Sequence, residues 1–212
     1  LRVVQANLIT ELEMRRAIFF VFFSAIFFGF FLVLKGGFII LIIGLCSLLS
    51  AYFYTAGPYP LAYNGLGEVF VFIFFGILAV EGTYFLQCKY FSREIFFHSC
   101  SIGAIASSIL VVNNLRDIDN DRRVFKKTLA VRFGKSFSRF EFSFFIFLAY
   151  LIPFFLLSKY IDLIILFLSF PFAIYLIFYV YINDGDKLNW LLENTAKLLI
   201  IYSVLLAVGF II

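Results

Sequence analysis

"AIFFVFFSAIFFGFFLVL", residues 17–34, runs for 18 positions without a charge, eight of them Phe. A stretch of that length and composition matches the roughly 30 Å hydrocarbon core of a bilayer. It is not alone. The chain of 212 residues is 64% hydrophobic and 22% aromatic, with 33 Phe and only 14% charged residues. Its mean hydropathy is +1.05. No soluble domain of this size needs so much apolar surface, and the class expected is a polytopic all-α integral membrane protein. Candidate spans are residues 17–34, 38–56, 67–88, 95–114, 142–158, 162–182 and 195–212, seven in all.

Smaller signals fit that class. Cys46, Cys88 and Cys100 lie in apolar runs without CxxC spacing and read as small core residues. His98 opens a helix after "REIFF" and reads as structural. Pro153 and Pro171 fall inside two spans, where a bundle tolerates a kink because neighbouring helices satisfy the freed carbonyl. Residues 1–16 are polar and lack the basic-then-apolar build of a signal peptide. The expected organisation is one transmembrane domain over residues 1–212.

Outward from the apolar runs, the exception is "NNLRDIDNDRRVFKKTLAVRFGK", residues 113–135. Residues 116–139 alone hold eight basic and three acidic side chains. At about 2.5–3.5 kcal/mol per charge at a helix centre, such a segment stays outside the hydrocarbon. Basic residues concentrate on the side of this loop and of the N-terminus, so the positive-inside rule puts the loop in the cytoplasm and the C-terminus outside.

Within the loop, Asp117 and Asp121 are spaced i, i+4. If the preceding helix continues, both carboxylates stack on one face. Mg²⁺ is commonly held by one or two carboxylates together with water and substrate phosphates. Arg122, Lys126 and Arg132 follow, and such cations bind phosphate oxygens by charge-assisted hydrogen bonds. Asn113 and Asn114 are placed to support the carboxylates or to bind phosphate. The spacing alone leaves two plainer readings open, a solvated face of Arg/Asp pairs and a polybasic patch on anionic lipid. A transporter is a third class, but one would concentrate its charges near mid-membrane rather than in one loop.

The longer string resembles the second aspartate-rich motif of the UbiA superfamily of membrane prenyltransferases, in the branch acting on 1,4-dihydroxy-2-naphthoate. The residues that carry the resemblance are Asn113, Asn114, Arg116, Asp117, Asp121, Arg122, Lys126, Thr128, Leu129, Val131, Arg132 and Gly134. Phe125 departs from it, standing where the motif has Gly, and is expected to alter the turn before Lys126. Residues 54–76, "YTAGPYPLAYNGLGEVFVFIFFG", resemble the superfamily's cytoplasmic loop and following helix. Residues 1–17 resemble the segment just after its first aspartate motif, and "GTYFLQ" (82–87) agrees as well.

The resemblance implies a UbiA-type helical bundle, with about seven transmembrane helices present of nine. The first aspartate motif, and with it half of the metal site, is then expected to precede Leu1. It further implies transfer of a polyprenyl chain from polyprenyl diphosphate to 1,4-dihydroxy-2-naphthoate, with loss of CO₂ and diphosphate. Mg²⁺ is the implied cofactor, Asp117 and Asp121 its ligands, and Arg122, Lys126, Arg132, Asn113 and Asn114 the diphosphate-binding set. Tyr54, Tyr59, Tyr63 and Glu68 are candidates for the acceptor; an interfacial aromatic belt explains the tyrosines equally well, and helix N-terminal capping explains Glu68. Glu81 is an intramembrane acid whose partner the sequence does not name. Other aromatic acceptors (4-hydroxybenzoate, homogentisate, haem) are the nearest alternatives, and a non-catalytic membrane scaffold is the most distant. The implied setting is the bilayer of a bacterial cytoplasmic (inner) membrane, and nucleic acid is not expected among the partners.

Overall fold

The computed structural model describes residues 8–157 and 159–211, so residues 1–7, including Arg2 and the start of the 1–17 stretch, lie outside it, as do the last positions of the spans 142–158 and 195–212. Among the described residues six helices are long and apolar enough to cross a membrane: α1 (Glu11–Thr55), α2 (Gly67–Cys88), α3 (Arg93–Arg116), α5 (Leu129–Leu156), α6 (Ile161–Ile182) and α7 (Gly185–Gly209). A short helix, α4 (Ile118–Arg123), separates α3 from α5. No strand occurs among the described residues. The chain is a multi-pass helical membrane protein.

Two compact units divide the chain, one ending at Ala51 and one beginning at Tyr52. The first is nearly all α1. At 1.5 Å per residue, 45 residues amount to about 67 Å of helix, twice what a bilayer core needs. Gly37, at φ 67° and ψ −153°, breaks it into two pieces between the expected spans 17–34 and 38–56. Seven expected spans and six helices, the first of them kinked at Gly37, therefore describe the same chain. In the first unit Ile40 is the one buried residue of α1, and Phe rings line it on all sides, as a span solvated by lipid requires.

In the second unit α3 is the central helix. Its Ala104, Ile105, Val111, Val112 and Leu115 are buried against Phe142, Ile146 and Ala149 of α5 and Leu191 and Leu198 of α7. Interhelical hydrogen bonds fix the register: Tyr202 Oη donates to the Ala149 carbonyl at 2.8 Å, and Tyr150 Oη lies 2.7 Å from Ser169 Oγ. Such bonds are what helices have to hold them together where lipid is as apolar as their side chains. Residues 72–78 of α2 are π-helical, and there Gly76 meets Gly103 of α3 so closely that a Cβ on Gly76 would stand 2.4 Å from the Gly103 Cα.

Several expectations change. The segment 116–139 is not all loop: after α4 a first helical stretch begins at Leu129, capped by Thr128, whose Oγ1 accepts from Val131 N at 3.3 Å, and Gly134 (φ 84°, ψ 179°) kinks it before the apolar part of α5. Charge marks where the chain leaves the hydrocarbon, and helical turns continue beyond it. Pro153 lies within α5 as expected, and Pro171 within α6, where the 3₁₀ run over Ile161–Ser169 passes into α-helix. Cys46 and Cys88 are exposed on their helices rather than in the core. His98 is buried, its ring edge-on to Phe210 at 5.0 Å.

At the end of the bundle opposite the motif, Glu94 binds both Lys159 and Tyr160, tying the start of α3 to the α5–α6 connection. The Glu94 carboxylate holds the Lys159 ammonium charged to higher pH than usual.

Candidate functional site

α3 ends at Arg116, and the chain turns at Asp117 (φ −93°, ψ 8°) into α4. One helical bond survives the turn, Asp121 N to the Asp117 carbonyl at 2.8 Å. The i, i+4 stacking expected of an unbroken helix thus becomes a corner, with one carboxylate on the hinge and the other in the short helix.

Arg116 grips Asp117 with two parallel bonds, Nε to Oδ1 and Nη2 to Oδ2, each 2.8 Å. The same guanidinium donates to Asn113 Oδ1 at 2.8 Å and to Asn189 Oδ1 at 2.9 Å, the latter at the start of α7. Asp121 is buried and receives Lys126 Nζ at 2.6 Å. Lys126 Nζ also stands 5.2 Å from the ring centroid of Tyr63, a cation–π distance.

The turn that brings Lys126 back over Asp121 is a Schellman motif. Lys126 N donates to the Asp121 carbonyl at 3.0 Å and Phe125 N to the Arg122 carbonyl at 3.2 Å. Its left-handed position is Phe125, at φ 56° and 89% exposed. The turn expected to be altered by a bulky residue is instead formed, with a phenylalanine in the conformation that glycine adopts without strain. That conformation costs an L-residue about 1–2 kcal/mol, partly offset by the extra chain entropy a glycine loses. Phe125→Gly is therefore expected to stabilise the turn by about 0.5–1 kcal/mol, seen as roughly threefold slower hydrogen exchange of the Lys126 amide. Unchanged or faster exchange would show that the turn is not under this strain.

A second layer comes from residues 54–68. Lys127 N donates to the Tyr63 carbonyl at 2.8 Å and Arg132 Nη2 to the Asn64 carbonyl at 2.9 Å. Between them Gly65, at φ 74°, lies so near that a Cβ would be 3.0 Å from the Lys127 carbonyl oxygen. Asn114 turns away from the cations and donates through Nδ2 to Glu68 Oε1 at 2.7 Å.

The structure therefore brings together Asn113, Asp117, Asp121, Lys126 and Tyr63, with Arg132 beside them and Asn114, Glu68 and Tyr54 on the far side of α3's last turn. It leaves two candidates apart: Arg122 is 61% exposed and faces Asp119 at 3.9 Å, and Tyr59 is exposed on the loop after α1. Three residues of the arrangement carry no expectation as site residues. Arg116 is in the motif, but its role as a clamp needs the hinge at Asp117. Asn189 comes from the distant "NDGDKLNW" segment, which no local spacing links to the motif. Glu141, buried and within electrostatic range of Glu68, is an acid beside an apolar run, a signal the sequence does offer.

Among the described residues no three His, Cys, Asp or Glu side chains gather closely enough to hold a metal by themselves. The donor set is two carboxylates, each matched by a cation.

The 1,4-dihydroxy-2-naphthoate octaprenyltransferase of Haemophilus influenzae is 44% identical over 92 residues, 43% of this chain and 30% of that protein. The protein of the same description from Escherichia coli is 35% identical over 141 residues, 64% of this chain and 46% of that protein. The one from Mycobacterium leprae is 42% identical over 99 residues, 47% of this chain and 34% of that protein. The matched part of this chain thus spans between 30% and 46% of the length of these relatives. No solved structure matches it. Residues 2–192 match the UbiA prenyltransferase family, and the chain belongs to that family.

Proposed function

We propose that residues 1–212 form one transmembrane prenyltransferase domain that takes part in joining a polyprenyl chain to 1,4-dihydroxy-2-naphthoate. The observation that carries this reading is the corner at Asp117. Two carboxylates and their cations, Arg116 and Lys126, stand at one helix end where an apolar bundle meets a polar surface.

Asp117 and Asp121 fit Mg²⁺: they are hard oxygen donors, and two carboxylates completed by water and phosphate oxygens are what that ion accepts. When bound, Mg²⁺ supplies Lewis-acid stabilisation of charge on a leaving diphosphate. The chain's own residues do the rest. Lys126 and Arg132 are placed to take diphosphate oxygens, and Asn113 to hold the Arg116 clamp in register. In the reaction the allylic C–O bond breaks with its electron pair on diphosphate, and a C–C bond forms to the electron-rich ring. The ring loses its carboxyl group as CO₂ and a proton, leaving the prenylated naphthalene-1,4-diol, the reduced (quinol) form of demethylmenaquinone. Fixed cations aimed at the developing negative charge lower its energy without reorganising. The lipid-facing Phe surface suits a long prenyl chain, and the basic excess supports a cytoplasmic location for this end in a bacterial inner membrane, with the C-terminus outside.

The test is transfer of labelled polyprenyl diphosphate by the full-length protein in vesicles, with and without Mg²⁺. Prenylated product is expected from 1,4-dihydroxy-2-naphthoate and not from 4-hydroxybenzoate or homogentisate, and it is expected to vanish with EDTA. Product from 4-hydroxybenzoate alone would overturn the choice of acceptor.

A further inference from the structure

Behind the cation cluster, on the far side of α3's last turns, lie two acids that diphosphate binding does not use. Glu68 on α2 is 2% exposed and Glu141 on α5 is 8% exposed, and the two are within electrostatic range of each other. Neither forms an ion pair among the described residues.

Glu68 is firmly placed. Its main-chain carbonyl accepts from Ser107 Oγ at 3.1 Å, and Asn114 Nδ2 holds Oε1 at 2.7 Å. Its other oxygen, Oε2, is buried with no hydrogen-bond partner among the described residues. A buried carboxylate oxygen left unpartnered requires an explanation. The Tyr54 hydroxyl flanks the same corner, 3.2 Å from where a Cβ on Gly67 would stand.

We propose that Glu68 Oε2 is the docking point for the hydroxyl of the aromatic acceptor, with Asn114 aiming the carboxylate and Glu141 as the second acid beside it. This rests on the prenyl-transfer reading above. Two neighbouring acids without a counter-cation disfavour a diphosphate or the acceptor's own carboxylate. They favour a hydrogen-bond donor, and a phenolic hydroxyl is the donor that such an acceptor carries. A hydroxyl donating to a carboxylate also leaves more electron density in its ring, where the allylic carbon is attacked. One turn of α3 would then part the two substrates by charge, Asn113 facing the cations that take the leaving anion and Asn114 facing the acid that takes the nucleophile.

The test compares the full-length protein with its Glu68→Gln and Glu68→Asp variants, using 1,4-dihydroxy-2-naphthoate and its monomethyl ethers as acceptors. The wild type is expected to disfavour, by at least about tenfold in kcat/KM, the ether that lacks the docked hydroxyl. Glu68→Gln is expected to raise the KM for the naphthoate about tenfold, to leave the KM for polyprenyl diphosphate within about twofold, and to erase the discrimination between hydroxyl and ether. Glu68→Asp, which keeps the carboxylate, is expected to recover part of it. Equal losses for both substrates, or discrimination intact in Glu68→Gln, would overturn the docking role while leaving the transferase reading in place. Should Glu68→Gln fail to fold, Glu68→Asp decides: discrimination equal to wild type in a variant whose carboxylate is withdrawn by one methylene overturns it. No transfer to the naphthoate by the wild type would overturn both.

Discussion

Asp117→Asn combined with Asp121→Asn is expected to lower prenyl transfer by the full-length protein about 10³-fold or more at saturating Mg²⁺. The amide keeps the size of each side chain but gives up the charge that a divalent ion needs. It also leaves the Arg116 clamp and the Lys126 ammonium without their counter-charges. The single changes should differ in kind. Asp121 is buried, so its loss strands Lys126 in a poorly solvated corner and should also lower the melting temperature. Asp117 lies on the hinge and is more exposed, so Asp117→Asn should spare stability and act on kcat. Asp119→Asn is the matched control: Asp119 is exposed and pairs loosely with Arg122, and transfer should stay within about twofold of wild type. Labelled-product assays over a Mg²⁺ titration read all four proteins. Turnover retained in the double variant would remove the metal role from both residues.

That contrast between Asp119 and Asp121 is legible in the sequence, because helical spacing alone puts Asp121 and not Asp119 in line with Asp117. The preference for Lys126 over Arg122 is not. Arg122 is adjacent to Asp121 in the chain, and the sequence offers both cations alike as candidates. The choice is made by the Schellman turn, whose left-handed residue is a phenylalanine that propensity assigns elsewhere. The spans were legible from charge-free runs such as residues 17–34, since lipid leaves the backbone no alternative to a helix. Most of their ends were legible as well, 67–88 at both residues and 162–182 within one; the start of α5 was not, because Thr128 caps it well outside the hydrocarbon, where polar residues and helical bonding coexist. Reading α5 as starting at 142 put Glu141 outside the bundle and hid the acid that faces Glu68. Long-range partners such as Asn189, which meets Arg116 only when α7 packs on α3, carry no local pattern at all.

Gly76→Ala should be the most damaging single change to the fold. The added methyl would stand 2.4 Å from the Gly103 Cα, 2.8 Å from the Gly103 nitrogen and 2.8 Å from the Ser99 carbonyl oxygen, all backbone atoms that no rotamer can move. From the other side, a Cβ on Gly103 would meet the Phe72 carbonyl oxygen at 2.8 Å. The helices must therefore separate, and small residues at such crossings are what let membrane helices approach. Separation of α2 from α3 also pulls Glu68 away from Ser107 and Asn114. The expected loss is about 3 kcal/mol, a fall in melting temperature of roughly 10 °C for purified protein in detergent. Gly67→Ala tests the argument at the same helix pair. There the nearest atom is Leu110 Cδ2 at 2.9 Å, the far end of a flexible side chain, so the cost should stay near 1 kcal/mol. If Gly76→Ala melts with the wild type, backbone contact at that crossing does not set the spacing of α2 and α3, and the placement of Glu68 would have to come from its hydrogen bonds alone.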